Sequence, residues 1–83
     1  MSHQITEIDK FLAFMNKLLR KELETRQITR LEKINVKVSV YDIFQRNFSL
    51  ESIYYELLDY CEEEKNLTPI IPQIKEYYTN LNN

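Results

Sequence analysis

Glycine and tryptophan are absent from this 83-residue chain, which has one cysteine, one histidine and two prolines. Without glycine no position takes up positive φ free of steric cost, which argues against tight β-hairpins, phosphate-cradling loops and dinucleotide-binding fingerprints. The single cysteine, Cys61, excludes an internal disulfide. The longest uninterrupted apolar run is Phe11 to Met15, far short of the roughly 20 residues a membrane-crossing helix needs. No signal peptide opens the chain, so a cytoplasmic protein is expected.

The residues that are present describe a folding chain. Hydrophobic residues make up 43% and charged residues 29%, the balance of a globular domain rather than a disordered tail. The length suits one domain over residues 1–83, because a core of this size already buries only about two-thirds of the unfolded surface. Net charge is −2, but residues 1–37 carry eight Lys/Arg against five Asp/Glu, and residues 38–83 three against eight. The acidic total argues against duplex nucleic acid as a partner. Opposite signs at the two ends suit head-to-tail association of copies.

Periodicity then places the elements. Ile5, Ile8, Phe11, Leu12, Met15, Leu18, Leu19 and Leu23 recur at spacings of three and four and predict an amphipathic helix from about Thr6 to Arg26. Thr6 and Asp9 form a capping box, and Lys10, Lys17, Arg20 and Lys21 fall between the apolar positions. Ile28 and Leu31 allow a further turn or two. Ile34, Val36, Val38 and Val40 alternate with Asn35, Lys37 and Ser39, the period-two pattern of a half-buried strand. With no second such segment to pair with, residues 34–40 are expected to be an extended connector or to pair with a copy of themselves.

A short helix over Val40 to Arg46 would turn Val40, Tyr41 and Phe44 inward and stop at Asn47. Ser49 is a good N-cap for the next helix, with Phe48 set to meet Ile53 as a hydrophobic staple. That helix runs through Leu50, Ile53, Leu57, Leu58 and Cys61 to about Lys65, where Asn66 can take the left-handed cap and Leu67 can fold back. Thr68 and Pro69 read as N-cap and first residue of a last helix, delayed by Pro72 and carrying Ile70, Ile71, Ile74, Tyr77, Tyr78 and Leu81.

Catalytic chemistry finds little to work with. His3 is near the start of the chain, away from the fixed neighbours that triads and zinc sites require. Cys61 shares a helix face with Leu57 and Leu58, and acidic neighbours raise a thiol's pKa, so it reads as a structural thiol. Asp59, Glu62, Glu63 and Glu64 form an acidic cluster, yet helical spacing spreads them and calcium needs an ordered oxygen loop; they read as a solvated or partner-facing surface. No catalytic residue, metal ligand, cofactor or small-molecule substrate is expected. The six tyrosines are more telling, because neighbours such as Tyr54 and Tyr55 point different ways on a helix and at least one must face out. Exposed tyrosine is enriched where proteins meet.

The run FSLESIYYELLDYCEEEKNLTPIIPQIKEYY from Phe48 onward resembles the closing helices of bacterial effector-associated domains, which belong to the death-like helical-bundle class. Leu57, Leu58, Tyr60 and Cys61 occupy the aliphatic pair, aromatic and cysteine of the family's penultimate helix. Lys65 and Asn66 stand where the family usually has glycine, and the valine-rich middle is unlike it. The resemblance implies an all-α, compact death-like bundle of about five or six helices, with an extended segment near residues 34–40. It also implies a homotypic adaptor without an active site, coupling sensor to effector proteins in bacterial conflict or antiviral defence. Death-like bundles stack a basic face on an acidic one, which makes Lys10, Lys17, Arg20 and Lys21 one candidate face. Asp59, Glu62, Glu63 and Glu64 are the other, with Tyr55 as an aromatic centre.

Two other readings compete. A ribbon-helix-helix DNA-binding dimer would pair Ile34 to Val40 with its twin and turn Asn35, Lys37 and Ser39 to the groove. A small phage or plasmid inhibitor of a host enzyme would need only a surface.

Overall fold

The computed structural model describes residues 6–64 and 66–81; His3 and Ile5 lie outside them. Among the described residues there are four α-helices and one 3₁₀ turn: α1 (Glu7–Glu24), α2 (Arg30–Arg46), α3 (Leu50–Glu63), the turn Thr68–Ile70, and α4 (Ile71–Leu81). α1 packs on α2, α2 on α3 and α3 on α4, while aromatic stacking closes α4 back on α1. The order is that of a four-helix bundle, with α1 and α3 on opposite corners.

α1 begins as its sequence predicts. The Thr6 hydroxyl accepts from the Asp9 N–H at 3.1 Å, and the Asp9 carboxylate accepts from the Thr6 N–H at 3.2 Å, so two otherwise unpaired donors are satisfied. Phe11, Met15, Leu19 and Leu23 are buried along one face. Phe11 meets Phe44 of α2 edge to face at 5.4 Å and stacks on Tyr77 of α4 at 5.3 Å, joining three helices at one side chain. α3 contributes Ile53, Tyr54, Leu57 and Cys61, and Tyr54 stacks on Tyr78 of α4 at 3.9 Å.

The expected extended segment is not there. Residues 34–40 lie inside α2, which also takes in Arg30 to Lys33 of the turns expected over Gln27 to Lys33 and the short helix expected over Val40 to Arg46, while Gln27 and Ile28 precede it. This fusion is why the bundle has four helices rather than five or six. The alternation misled because i and i+4 share a helix face: Val36 and Val40 fall on one side, and Ile34 and Val38 on the opposite side. Val36, Val40, Ile43 and Phe44 are buried, whereas Ile34, Val38 and Tyr41 are exposed, so Tyr41 does not turn inward as expected. One signal in the sequence marked the start. Thr29-Arg30-Leu31-Glu32 is a capping box, with the Thr29 hydroxyl accepting from the Glu32 N–H at 3.1 Å and the Glu32 carboxylate accepting from the Thr29 N–H at 3.3 Å. The strand required by a ribbon-helix-helix dimer is absent from this segment.

Helix ends are closed without positive φ anywhere among the described residues, so the left-handed cap expected at Asn66 does not form. Thr25 ends α1 in the right-handed region, its hydroxyl donating to the Glu22 carbonyl at 2.8 Å. Asn47 ends α2 in extended conformation, its amide donating to the Ile43 carbonyl and to Glu56 of α3, both at 2.8 Å. Ser49 caps α3, its hydroxyl accepting from the Ser52 N–H at 3.2 Å. Phe48, however, is 93% exposed and makes no staple with Ile53. Leu67 does fold back into the core. It also takes the cap position expected of Thr68, because the chain tightens into a 3₁₀ turn before α4. That tightening lets the Ile70 and Ile71 N–H groups bond to Leu67 and Thr68 before Pro72, which has none to give.

Two expectations test this packing. Phe11→Ala empties the junction of three helices and should cost about 3–5 kcal/mol by urea denaturation. Val40→Ala should cost about 1–3 kcal/mol, whereas Val38→Ala, on the outer face of the same helix, should leave the monomer unchanged or slightly more stable, since alanine is the better helix former. Equal losses at 38 and 40 would contradict the helix.

Candidate interaction surfaces

α1 turns its polar face away from the core. Lys10, Lys17 and Lys21 stand at i, i+7 and i+11 and form one row, with Lys10 tied to Glu7 at 3.5 Å. Arg20 is exposed but lies roughly 60° round the helix from Lys17, so three of the four predicted cations share a line and the fourth flanks it. Beside the row, Phe14, Lys17, Leu18, Lys21 and Gln73 line a groove of about 310 Å³ between α1 and α4. Phe14 stacks on Tyr77 at 4.2 Å, which fixes the groove's apolar wall. Its rim is basic and its floor apolar, a feature composition alone did not reveal.

α3 presents the opposite chemistry on the opposite corner. Glu51, Tyr55, Asp59 and Glu62 follow one another at four, four and three residues and are all exposed, an acidic strip with an aromatic ring in it. Tyr54 is buried and Tyr55 is not, as their adjacency required. The predicted acidic cluster is only partly divided by the fold: Asp59 and Glu62 share the strip with Tyr55, while Glu63 lines the α2–α3 cleft, whose wall Asp59 also joins. Glu64 lies past the helix in extended conformation, half-buried.

The α2–α3 cleft holds a linked set of polar contacts. Arg46 Nε donates to Asp42 at 2.7 Å and its Nη2 to Glu56 at 2.5 Å, while Asn47 reaches the other oxygen of Glu56. This network ties the end of α2 to α3 through one cation, and with Asp59 and Glu63 also lining the cleft it stays net acidic. Arg26 pairs with Glu22 along the last turn of α1.

Burial governs the titrating groups. It pushes the Cys61 thiol up to about 11, with the nearby Glu62 charge adding to the effect. Tyr54 and Tyr60 are raised chiefly by burial too, a hydrogen bond with Ser39 opposing it at Tyr60. Among the described residues no group of three or more His, Cys, Asp and Glu side chains is placed to hold a metal, and no helix is long and apolar enough to cross a membrane. Comparison with protein-family models, curated proteins and solved structures finds no match to this chain.

Sequence reasoning missed one surface entirely. Leu31, Ile34, Val38 and Tyr41 form an exposed apolar row along the outside of α2, and its 3-4-3 spacing was readable once the segment is taken as helix.

The buried thiol generates an expectation. At pH 8 Cys61 should react with a disulfide reagent far more slowly in the folded protein than in urea, by a hundredfold or more, since both thiolate fraction and access fall. A group whose pKa is raised on folding holds its proton more tightly in the native state. Stability should therefore be level below the unfolded thiol's pKa and decline as pH rises toward and through about 11. Melting temperature against pH reads this; a rise over that range would contradict the burial of Cys61.

Proposed function

We propose that this chain is a protein-interaction domain that acts by binding rather than by catalysis, joining a second copy or a similar domain head to tail. The observation that carries it is the pairing of opposite surfaces on opposite corners: a basic-rimmed apolar groove at Phe14, Lys17, Leu18 and Lys21, and an acidic strip centred on Tyr55. A ring entering the groove would lose its water while Asp59 and Glu62 met Lys17 and Lys21, the usual division between an apolar anchor and a charged rim. Because the two surfaces are different patches on different helices, the contact is heterologous and can repeat.

The homotypic adaptor function, coupling sensor and effector proteins in bacterial conflict or antiviral defence, follows from the resemblance to effector-associated domains. The surface supports it; the helix count of four does not add to it. Lys10 extends the basic row, and Arg20 lies beside it.

Self-association, followed by sedimentation at low ionic strength, should weaken about tenfold when Lys17→Glu and Lys21→Glu are combined, and should weaken steadily with added salt. Mixing that double variant with one carrying Asp59→Lys and Glu62→Lys should restore binding between the two. Association unaffected by charge reversal and by salt would sink the reading. Tyr55→Ala should weaken the contact without changing its salt dependence.

A further inference from the structure

α2 carries two apolar stripes on opposite faces. One is spent on the core through Val36, Val40, Ile43 and Phe44, yet on the other Leu31, Ile34, Val38 and Tyr41 remain 65, 46, 59 and 53% exposed. A contiguous exposed apolar stripe flanked by polar residues marks an interaction surface. The exposed residues fall at intervals of three, four and three, the a and d positions of a heptad whose seam faces a partner helix. In that register Arg30 and Lys37 occupy g positions and Asn35 and Asp42 occupy e positions, and all four are exposed.

We propose that this face is the seam of a parallel, two-fold symmetric dimer, in which α2 of one copy lies in register along α2 of a second copy. Charge complementarity selects both occupant and direction. In a parallel pair each g residue meets the e residue five positions on in the partner. Lys37 then lies beside the partner's Asp42, a carboxylate that already accepts from Arg46 of its own chain and would be shared between the two cations, twice by symmetry, and Arg30 lies beside the partner's Asn35. An antiparallel pair sets g against g and brings the two Lys37 side chains together, with no acid at that position to offset them. Leu31 and Val38 form the a layers, Ile34 and Tyr41 the d layers, and the tyrosine hydroxyls reach water at the seam's edge.

The seam is short. Gln45 occupies the next a position and α2 ends at Arg46, so each copy offers a patch of a few hundred Å², below the roughly 800 Å² per partner of a standard interface. The dimer is therefore reversible, with dissociation in the micromolar to millimolar range. It uses neither the α1–α4 groove nor the α3 strip and stands independently of the head-to-tail contact.

Sedimentation equilibrium from roughly 10 μM to 1 mM, on the unmodified chain and on the Lys17→Glu, Lys21→Glu background, reads the two contacts separately. A monomer–dimer equilibrium should persist in that background and disappear with Val38→Glu, a change at an exposed position that circular dichroism should show still folded. Lys37→Glu should weaken the dimer about tenfold, since it sets two acids beside each other on both sides of the seam, and adding Asp42→Lys should recover most of the loss. Val38→Cys should form a covalent dimer under mild oxidation, the buried Cys61 taking no part. A background variant that is monomeric through 1 mM would overturn the proposal, as would a dimer indifferent to Val38→Glu. Lys37→Glu tightening the dimer, or cross-linking between Ile34→Cys and Val38→Cys chains in preference to Val38→Cys with itself, would overturn the parallel direction.

Discussion

The fold depends on the burial of the Phe11 ring against Phe44 and Tyr77. These contacts set α1 against both of its neighbours, and the stack of Tyr54 on Tyr78 closes the remaining side between α3 and α4. Aromatic pairs add directionality to area burial, because edge-to-face and stacked geometries hold ring planes as well as distances. The aliphatic residues between them, Met15, Leu19, Leu57 and Ile74 among others, fill the space that the rings define. Among the described residues no polar or charged one is buried with them, so little in the core other than shape specifies its arrangement.

Glycine's absence shapes everything at the helix ends. A helix commonly stops by placing one residue in the left-handed region, and glycine makes that stop nearly free. Here Thr25, Asn47 and Glu64 stop helices in right-handed or extended conformations, and side chains supply part of the missing hydrogen bonding. Asn47 satisfies a carbonyl at the end of α2 while reaching Glu56, so the stop signal also docks the next helix. Local termination and tertiary packing are thus one interaction.

The surfaces follow from which faces the core consumes. α1 and α3 each have one apolar stripe and spend it inward, which leaves their charged faces of opposite sign pointing apart. Long-range attraction between such faces orients encounters, but in water it contributes little affinity without an apolar centre; in the proposed contact the Phe14–Leu18 groove and Tyr55 would supply that centre. α2 differs because no described residue covers its second apolar stripe.

By itself the sequence determined α1 with its capping box, the Ser49 start of α3, the apolar stripes of α3 and α4, the burial of Cys61 and the outward turn of at least one of Tyr54 and Tyr55. Each of these is set by neighbours within about one helical turn, where spacing and residue type act directly. The charge split was equally legible, since it needs only counting. Which of Asp59, Glu62, Glu63 and Glu64 share a face was decided by where α3 stops, and the groove beside Lys17 by the arrival of Tyr77 and Gln73 from α4. Tertiary structure decided α2 as well. Valine and isoleucine at alternate positions fit a strand locally, and the Thr29–Glu32 box alone spoke for a helix. Packing of Val36, Val40 and Phe44 between α1 and α3 resolved the conflict, because burial on one face of a capped helix outweighs the few tenths of a kcal/mol per residue by which β-branching disfavours it.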